Sequence, residues 1–147
     1  PMTRAMFVTV LGLMNGVTPD HAEPTEFKDV PTDTWYSGYV AWAIKQGITS
    51  GVGKKRFAPD DAITREQICA LLTRYAASRK ITLSNSRSIR FTDADRISDW
   101  AKESVEKCAA AAVVNGFPEG NELYFRPTKT ATRAEVATML CEFIRNT

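Results

Sequence analysis

The chain has 147 residues, 44% hydrophobic and 24% charged, with a formal net charge of +2. That length supports one compact domain or a few small repeats sharing a core, and so weak a charge excess argues against a nucleic-acid binder, which carries a clustered basic surface. No apolar run approaches the ~20 residues that span a bilayer, so membrane insertion is not expected.

The first predicted element is a helix opened by Thr3 and running to Met14. Its apolar stretch, Met6 to Met14, is interrupted by Thr9 and Gly12. Only Arg4 precedes it and no small-residue cleavage site follows, so it reads as a helix of the folded domain and not as a signal peptide. Any secretion signal is expected outside this segment. Residues 15–26 form a connector rich in Pro and charge. A second helix is predicted from Asp33 to Gln46, with Trp35, Tyr39, Val40, Trp42, Ala43 and Ile44 at helical spacing. A Gly-containing connection leads to a short extended piece at Phe57, Pro59 resets the chain, and a third helix opens at Thr64 and runs for about three turns. Connector 78–90 precedes a helix predicted from Ser98 to Ala112, striped by Trp100, Val105, Cys108 and Ala112. A loop over Pro118–Tyr124, an extended piece at Tyr124-Phe125 and a helix opening at Thr132 complete the chain. The fold class is all-α: mainly helical, with very short extended pieces.

These elements repeat. Phe27-Lys-Asp29-Val30 matches Phe91-Thr-Asp93-Ala94, Trp35 matches Trp100, Val40 matches Val105, and Gly51 matches Gly116. Phe57-Ala-Pro59 matches Phe125-Arg-Pro127, followed in each copy by Thr64-Arg65 and Thr132-Arg133, with Leu72 and Leu140 each seven residues beyond the arginine. Thr3-Arg4 and Leu11 supply a third copy of the last part only. The organisation is therefore a C-terminal half-repeat over residues 1–20, a full repeat over 21–80 and another over 81–147, each full repeat a helix, a loop and a helix.

Thr132-Arg-Ala-Glu135 is a capping box, and Thr64-Arg-Glu-Gln67 satisfies the same pattern with Gln. Thr3-Arg-Ala-Met6 keeps the threonine and is expected to lack the returning partner. Capping accounts for the Thr and Glu/Gln positions but not for the arginine. A cation at the first helical position faces the positive end of the helix dipole, at a cost of roughly 0.3–1 kcal/mol. Three recurrences against that tendency point elsewhere. One explanation is an internal ion pair with Asp29 or Asp93. The other is an anion site in which backbone N–H groups and the guanidinium converge on one negative group. Trp35 and Trp100, each beside polar residues at a helix start, fit either rim packing or a flat apolar wall for a sugar ring.

The remaining chemistry is sparse. Cys69, Cys108 and Cys141 form no CxxC pair and read as small buried hydrophobes, so neither a disulfide framework nor a metal site is expected. With His21 the only histidine, a catalytic triad is not expected. Asp60-Asp61, Asp93/Asp95 and Glu119/Glu122 fall where turns and solvated loops explain them, so the paired carboxylates of a glycoside hydrolase are not expected either. The chain reads as no enzyme and as needing no cofactor.

In order and repeated, Phe-x-Asp-Val, Trp, Gly47-Ile48-Thr49-Ser50-Gly51, Phe-x-Pro and Thr-Arg-Ala-Glu resemble the S-layer homology domain family. The resemblance covers nearly the whole chain. It implies repeats arranged as a pseudo-threefold spindle, here with the first repeat incomplete. It also implies a secreted module on the bacterial cell wall or S-layer that binds secondary cell-wall polysaccharide, often through pyruvylated N-acetylmannosamine, in grooves between repeats. The family's helix-opening arginine, a contact for the pyruvyl carboxylate, maps onto Arg4, Arg65 and Arg133. Its aromatic contact maps onto Trp35 and Trp100, its glycine-flanked loop onto Gly51 and Gly116, and its Phe-x-Asp aspartate onto Asp29 and Asp93. Met6 in place of Glu, and Glu66-Gln67 in place of Ala-Glu, depart from the family pattern. The competing expectation is a structural or protein–protein interaction module with degenerate grooves. Self-association through the incomplete first repeat is a further expectation.

Overall fold

The computed structural model describes residues 1–147. Five α-helices dominate: α1 (Arg4–Met14), α2 (Ser37–Lys45), α3 (Arg65–Ser78), α4 (Lys102–Ala110) and α5 (Arg133–Arg145). A small antiparallel hairpin, β1 (Phe117–Glu119) with β2 (Glu122–Tyr124), pairs Phe117 with Tyr124 and Pro118 with Leu123. No helix is long and apolar enough to cross a membrane.

The same device opens α1, α3 and α5. Thr3 Oγ1 accepts from Met6 N–H at 3.1 Å, Thr64 Oγ1 from Gln67 N–H at 3.3 Å, and Thr132 Oγ1 from Glu135 N–H at 3.1 Å. Gln67 and Glu135 accept in return from the Thr64 and Thr132 N–H groups. The first box, expected to be open, is closed as well: Met6 Sδ accepts from Thr3 N–H at 3.5 Å. A thioether is a weak acceptor, but its flexible stem brings the sulfur to the place a carboxylate would take.

α2 begins later than predicted. Asp33 has a φ of 63°, outside the helical region, so Trp35 lies ahead of the helix. Here His21 replaces a threonine cap: its Nδ1 accepts from Gly38 N–H at 3.0 Å. α4 is also shorter than predicted. Its first turn is a 3₁₀ turn over Asp99–Ala101, and Ala112, at φ 62°, lies beyond its end. The predicted loop over Pro118–Tyr124 is the hairpin, turned at Gly120 with φ 60°.

Two compact units result, Met2–Ile63 and Thr64–Thr147. Their boundary falls inside a sequence repeat because the closing helix of one repeat packs on the opening helix of the next: α1 on α2, and α3 on α4. The first unit buries Phe7, Leu11, Val40, Ile48, Phe57 and Ile63 completely, and the second does the same with Ile68, Leu72, Cys108 and Phe125. α1 meets α2 closely at Gly12, where a Cβ would fall 2.4 Å from Tyr39 Cδ1.

Candidate functional site

In each unit the site is built on the Phe-x-Pro segment. In the first unit Asp29 folds it: its two carboxylate oxygens accept from the Phe57 and Ala58 N–H groups, both at 2.8 Å. Asp93 does the same for Phe125 and Arg126, both at 2.8 Å. Burial alone would raise the Asp29 carboxyl. The two N–H donors and the Arg56 guanidinium outweigh it and hold the group below the usual carboxylate range. Gly51 and Gly116 let the loop approach the Phe-x-Asp phenylalanine. They sit at φ 85° and 81°, and a Cβ would fall 2.5 Å from Phe27 Cε1 or 2.7 Å from Phe91 Cε1.

The folded segment then receives the helix. Arg4 N–H donates to Asp61 O at 2.9 Å and Ala5 N–H to Pro59 O at 3.0 Å, while Arg65 N–H donates to Lys129 O and Glu66 N–H to Pro127 O, both at 3.0 Å. Together with the threonine cap, these bonds occupy the first backbone donors of α1 and α3. An anion site assembled from free N–H groups at these two helix ends is therefore ruled out; what remains for an anion is the guanidinium. Arg4 Nε donates to Phe57 O at 2.8 Å with its guanidinium 4.8 Å from the Phe57 ring centroid. Arg65 Nε donates to Phe125 O at 2.7 Å, and its guanidinium lies 4.6 Å from the Phe117 ring and 5.0 Å from the Phe125 ring. Both arginines are buried, at 4% exposure, whereas Arg133 opens α5 exposed to solvent. The internal role expected from the sequence was an ion pair; the structure supplies a different one, a buried carbonyl partner and an aromatic wall.

The expected partners Asp29 and Asp93 spend their carboxylates on backbone N–H groups, and the ion pair of Arg65 is with Glu135, 3.8 Å from Nη1. Burial pulls the Arg65 guanidinium below its ordinary pKa, Arg126 adds to that, and Cys69, Glu135 and Asp93 oppose it. Glu135 Oε2 is buried without a hydrogen-bond partner. It faces a cleft of about 190 Å3 lined by Arg65, Asn115, Gly116, Phe117, Thr138 and Met139.

Trp35 and Trp100 are not core residues; they are 54% and 55% exposed. Trp100 is tied to the Arg65 helix end. Glu66, itself 4% exposed, accepts from Ser98 N–H at 3.0 Å and from Ser98 Oγ at 2.7 Å, two residues before the tryptophan. In the first unit the residue equivalent to Glu66 is Ala5, fully buried. The sequence reading missed the Glu66–Ser98 tie and the cations around Phe117. A buried-side glutamate where the motif carries alanine was the signal for the first. For the second, the signal was Arg126 and Lys129 at positions that hold Ala58 and Asp61 in the other copy.

Helix–loop–helix repeats interlocked through a helix-opening arginine and a Phe-x-Pro segment define a repeat module. The S-layer homology domain pattern matches residues 26–69 and 90–137, and the chain belongs to that family. Relatives include an amylopullulanase of Thermoanaerobacterium thermosulfurigenes, 37% identical over 95% of this chain and 7% of the relative. The exoglucanase XynX of Acetivibrio thermocellus is 36% identical over 95% of this chain and 12% of its own. The surface-layer 125 kDa protein of Lysinibacillus sphaericus is 30% identical over 82% of this chain and 10% of its own. The chain thus spans a small part of each relative's length. Family and relatives together mark it as a cell-surface segment.

Proposed function

We propose that the chain is a non-catalytic anchoring module that holds a surface protein to an anionic secondary cell-wall polysaccharide, its sugar carrying a carboxylate such as a pyruvyl ketal. One observation carries this reading. At the Arg65 helix end, a buried and oriented guanidinium borders a small cleft and an exposed tryptophan is fixed to the same helix end. Nε is committed to the Phe125 carbonyl and Nη1 stands 3.8 Å from Glu135, so a sugar carboxylate would meet the Nη edge beside that glutamate. Arg65 and Arg4 are the anion contacts, Trp100 and Trp35 the sugar walls, and Arg133 an exposed contact on α5. Asp29, Asp93, Gly51 and Gly116 act by shaping the loop the ligand meets. Relatives described as a cellulosome-anchoring protein and an S-layer protein agree with this role. Any catalytic activity of the whole protein would reside in other segments, as the names of the two glycosidase relatives suggest. The test is a pull-down with purified bacterial cell walls before and after chemical removal of pyruvyl groups. Retention is expected on native walls only. Equal retention on both overturns the carboxylate assignment, and retention on neither overturns wall binding.

Self-association is a second reading, favoured by α5. Leu72 and Ala76 of α3 are buried, while their equivalents on α5, Leu140 and Ile144, are half-buried and 60% exposed, with Cys141 exposed beside them. Light scattering over a concentration series tests it; a strictly monomeric chain overturns it.

A further inference from the structure

Three cations surround one ring in the second unit. The Phe117 centroid lies 4.6 Å from the Arg65 guanidinium, 4.6 Å from the Arg126 guanidinium and 5.5 Å from Lys129 Nζ. Arg65 is buried and borders the small cleft. Arg126 and Lys129 reach solvent and line a separate, wider cavity of about 1030 Å3 with Arg96, Tyr124 and Asp95. Phe117 lines the cleft and carries the cations of the cavity, so its ring joins the two.

The other copy of the motif is an internal control. Where the second unit has Phe117, Arg126 and Lys129, the first has Val52, Ala58 and Asp61. The first unit's basic run, Lys54, Lys55 and Arg56, lies instead on an exposed loop tip. Like charges gathered on one ring repel each other unless anions compensate. Here Arg126 pairs with the exposed Glu119, Lys129 lies 3.2 Å from the half-buried Glu135, and Asp95 lines the cavity beside them, fewer carboxylates at the ring than the cations could engage. The exposed Arg126–Glu119 pair contributes little and yields to a competing carboxylate. Arg126 and Lys129 also have donors beyond those pairs.

We propose that Phe117, Arg126 and Lys129 form a second anion subsite beside Arg65, so that this groove takes a stretch of glycan bearing two acidic groups, one at Arg65 and one in the Arg126–Lys129 cavity. The inference rests on the anchoring reading and deepens it. The subsite selects for chain length and charge spacing, which a single guanidinium cannot do. Tyr124 lines the same cavity and supplies it with an aromatic wall for a sugar ring.

The experiment is calorimetric titration of the whole chain with two probes. One is the methyl glycoside of pyruvylated N-acetylmannosamine, with one carboxylate. The other is a wall-derived oligosaccharide carrying two pyruvyl groups. The oligosaccharide is expected to bind about tenfold tighter or more, the scale of one charge-assisted hydrogen bond. Arg126→Gln combined with Lys129→Gln should remove most of that preference and leave the monosaccharide affinity within about twofold. Arg126→Lys combined with Lys129→Arg, which keeps both charges, should retain it. If the neutralised variant keeps the full preference, the cations are an internal ion-pair cluster and the second subsite is overturned while the anchoring reading stands. If the unaltered chain binds neither probe, the anchoring reading fails and the subsite falls with it.

Discussion

Arg4 and Arg65 hold the same place in two copies of one motif, and the comparison separates what the fold needs from what a ligand would read. The backbone arrangement is duplicated: an aspartate folds the Phe-x-Pro segment, two helix-end N–H groups dock on its carbonyls, and the arginine Nε closes on the phenylalanine carbonyl. The side chains around that frame diverge. Arg65 lies against two rings and near Glu135, with Arg126 and Lys129 close by, and Arg4 lies against Phe57. Repeats that share hydrogen bonds to 0.1 Å therefore need not share a binding preference.

The largest effect is expected where the copies agree. Asp93→Ala removes the acceptor of two backbone donors from a site 8% exposed. At roughly 1.5–3 kcal/mol for each bond to a charged group, the loss should exceed about 3 kcal/mol in chemical denaturation. The matching Asp29→Ala should cost somewhat less, because Asp29 is half-exposed. Equal tolerance of both changes would show that the aspartates do not hold the loops.

Gly116→Ala comes next. It forces a left-handed φ on alanine and sets a Cβ 2.7 Å from Phe91 Cε1 and 2.9 Å from Tyr124 O. A cost of about 1–3 kcal/mol is expected, with a comparable one for Gly51→Ala, read as a fall in the denaturation midpoint.

The arginines then sharpen the contrast. Arg4→Ala and Arg65→Ala should each destabilise by roughly 2 kcal/mol, since each leaves a buried carbonyl without its donor. Wall retention should fall more for Arg65→Ala, whose cleft borders the exposed cations. A larger binding loss at Arg4 would reverse the ranking of the two grooves.

A smaller effect is expected from acid. The Asp29 carboxyl is held below its unfolded value, so its contribution is full above about pH 4 and is lost as pH falls through the folded value. Glu135 behaves alike: burial would raise it, and Lys129 and the Thr132 N–H outweigh that. Stability measured from pH 5 down to pH 2 should decline, and Asp29→Asn should flatten part of the decline. A curve unchanged by Asp29→Asn would remove the aspartate from the account.

The repeats, the threonine caps and the place of the arginines at the helix starts were legible in the sequence because each depends on residue type at fixed spacing. Other features were not, for physical reasons. The start of α2 depends on the left-handed Asp33 and on His21 acting as a distant cap, and neither follows from apolar period. The Phe117–Tyr124 hairpin strands are too short to show alternation, although Gly120-Asn121 is a turn signal. The buried state of Arg4 and Arg65 was invisible because the carbonyls that receive them lie 53 and 60 residues away.

The rungs that dock α1 also decide how the first unit bears a pull. Ile63 N–H donates to Met2 O, Arg4 N–H to Asp61 O and Ala5 N–H to Pro59 O, in an antiparallel ladder whose open end lies at Met2 and Ile63. Tension applied through those two residues reaches the rungs singly, outermost first, with the bond from Arg4 Nε to Phe57 O loaded last. Such a ladder unzips; it does not shear. Under such a load the first unit is expected to open from the Met2–Ile63 end, a direction of opening that single-molecule stretching through those two residues would read.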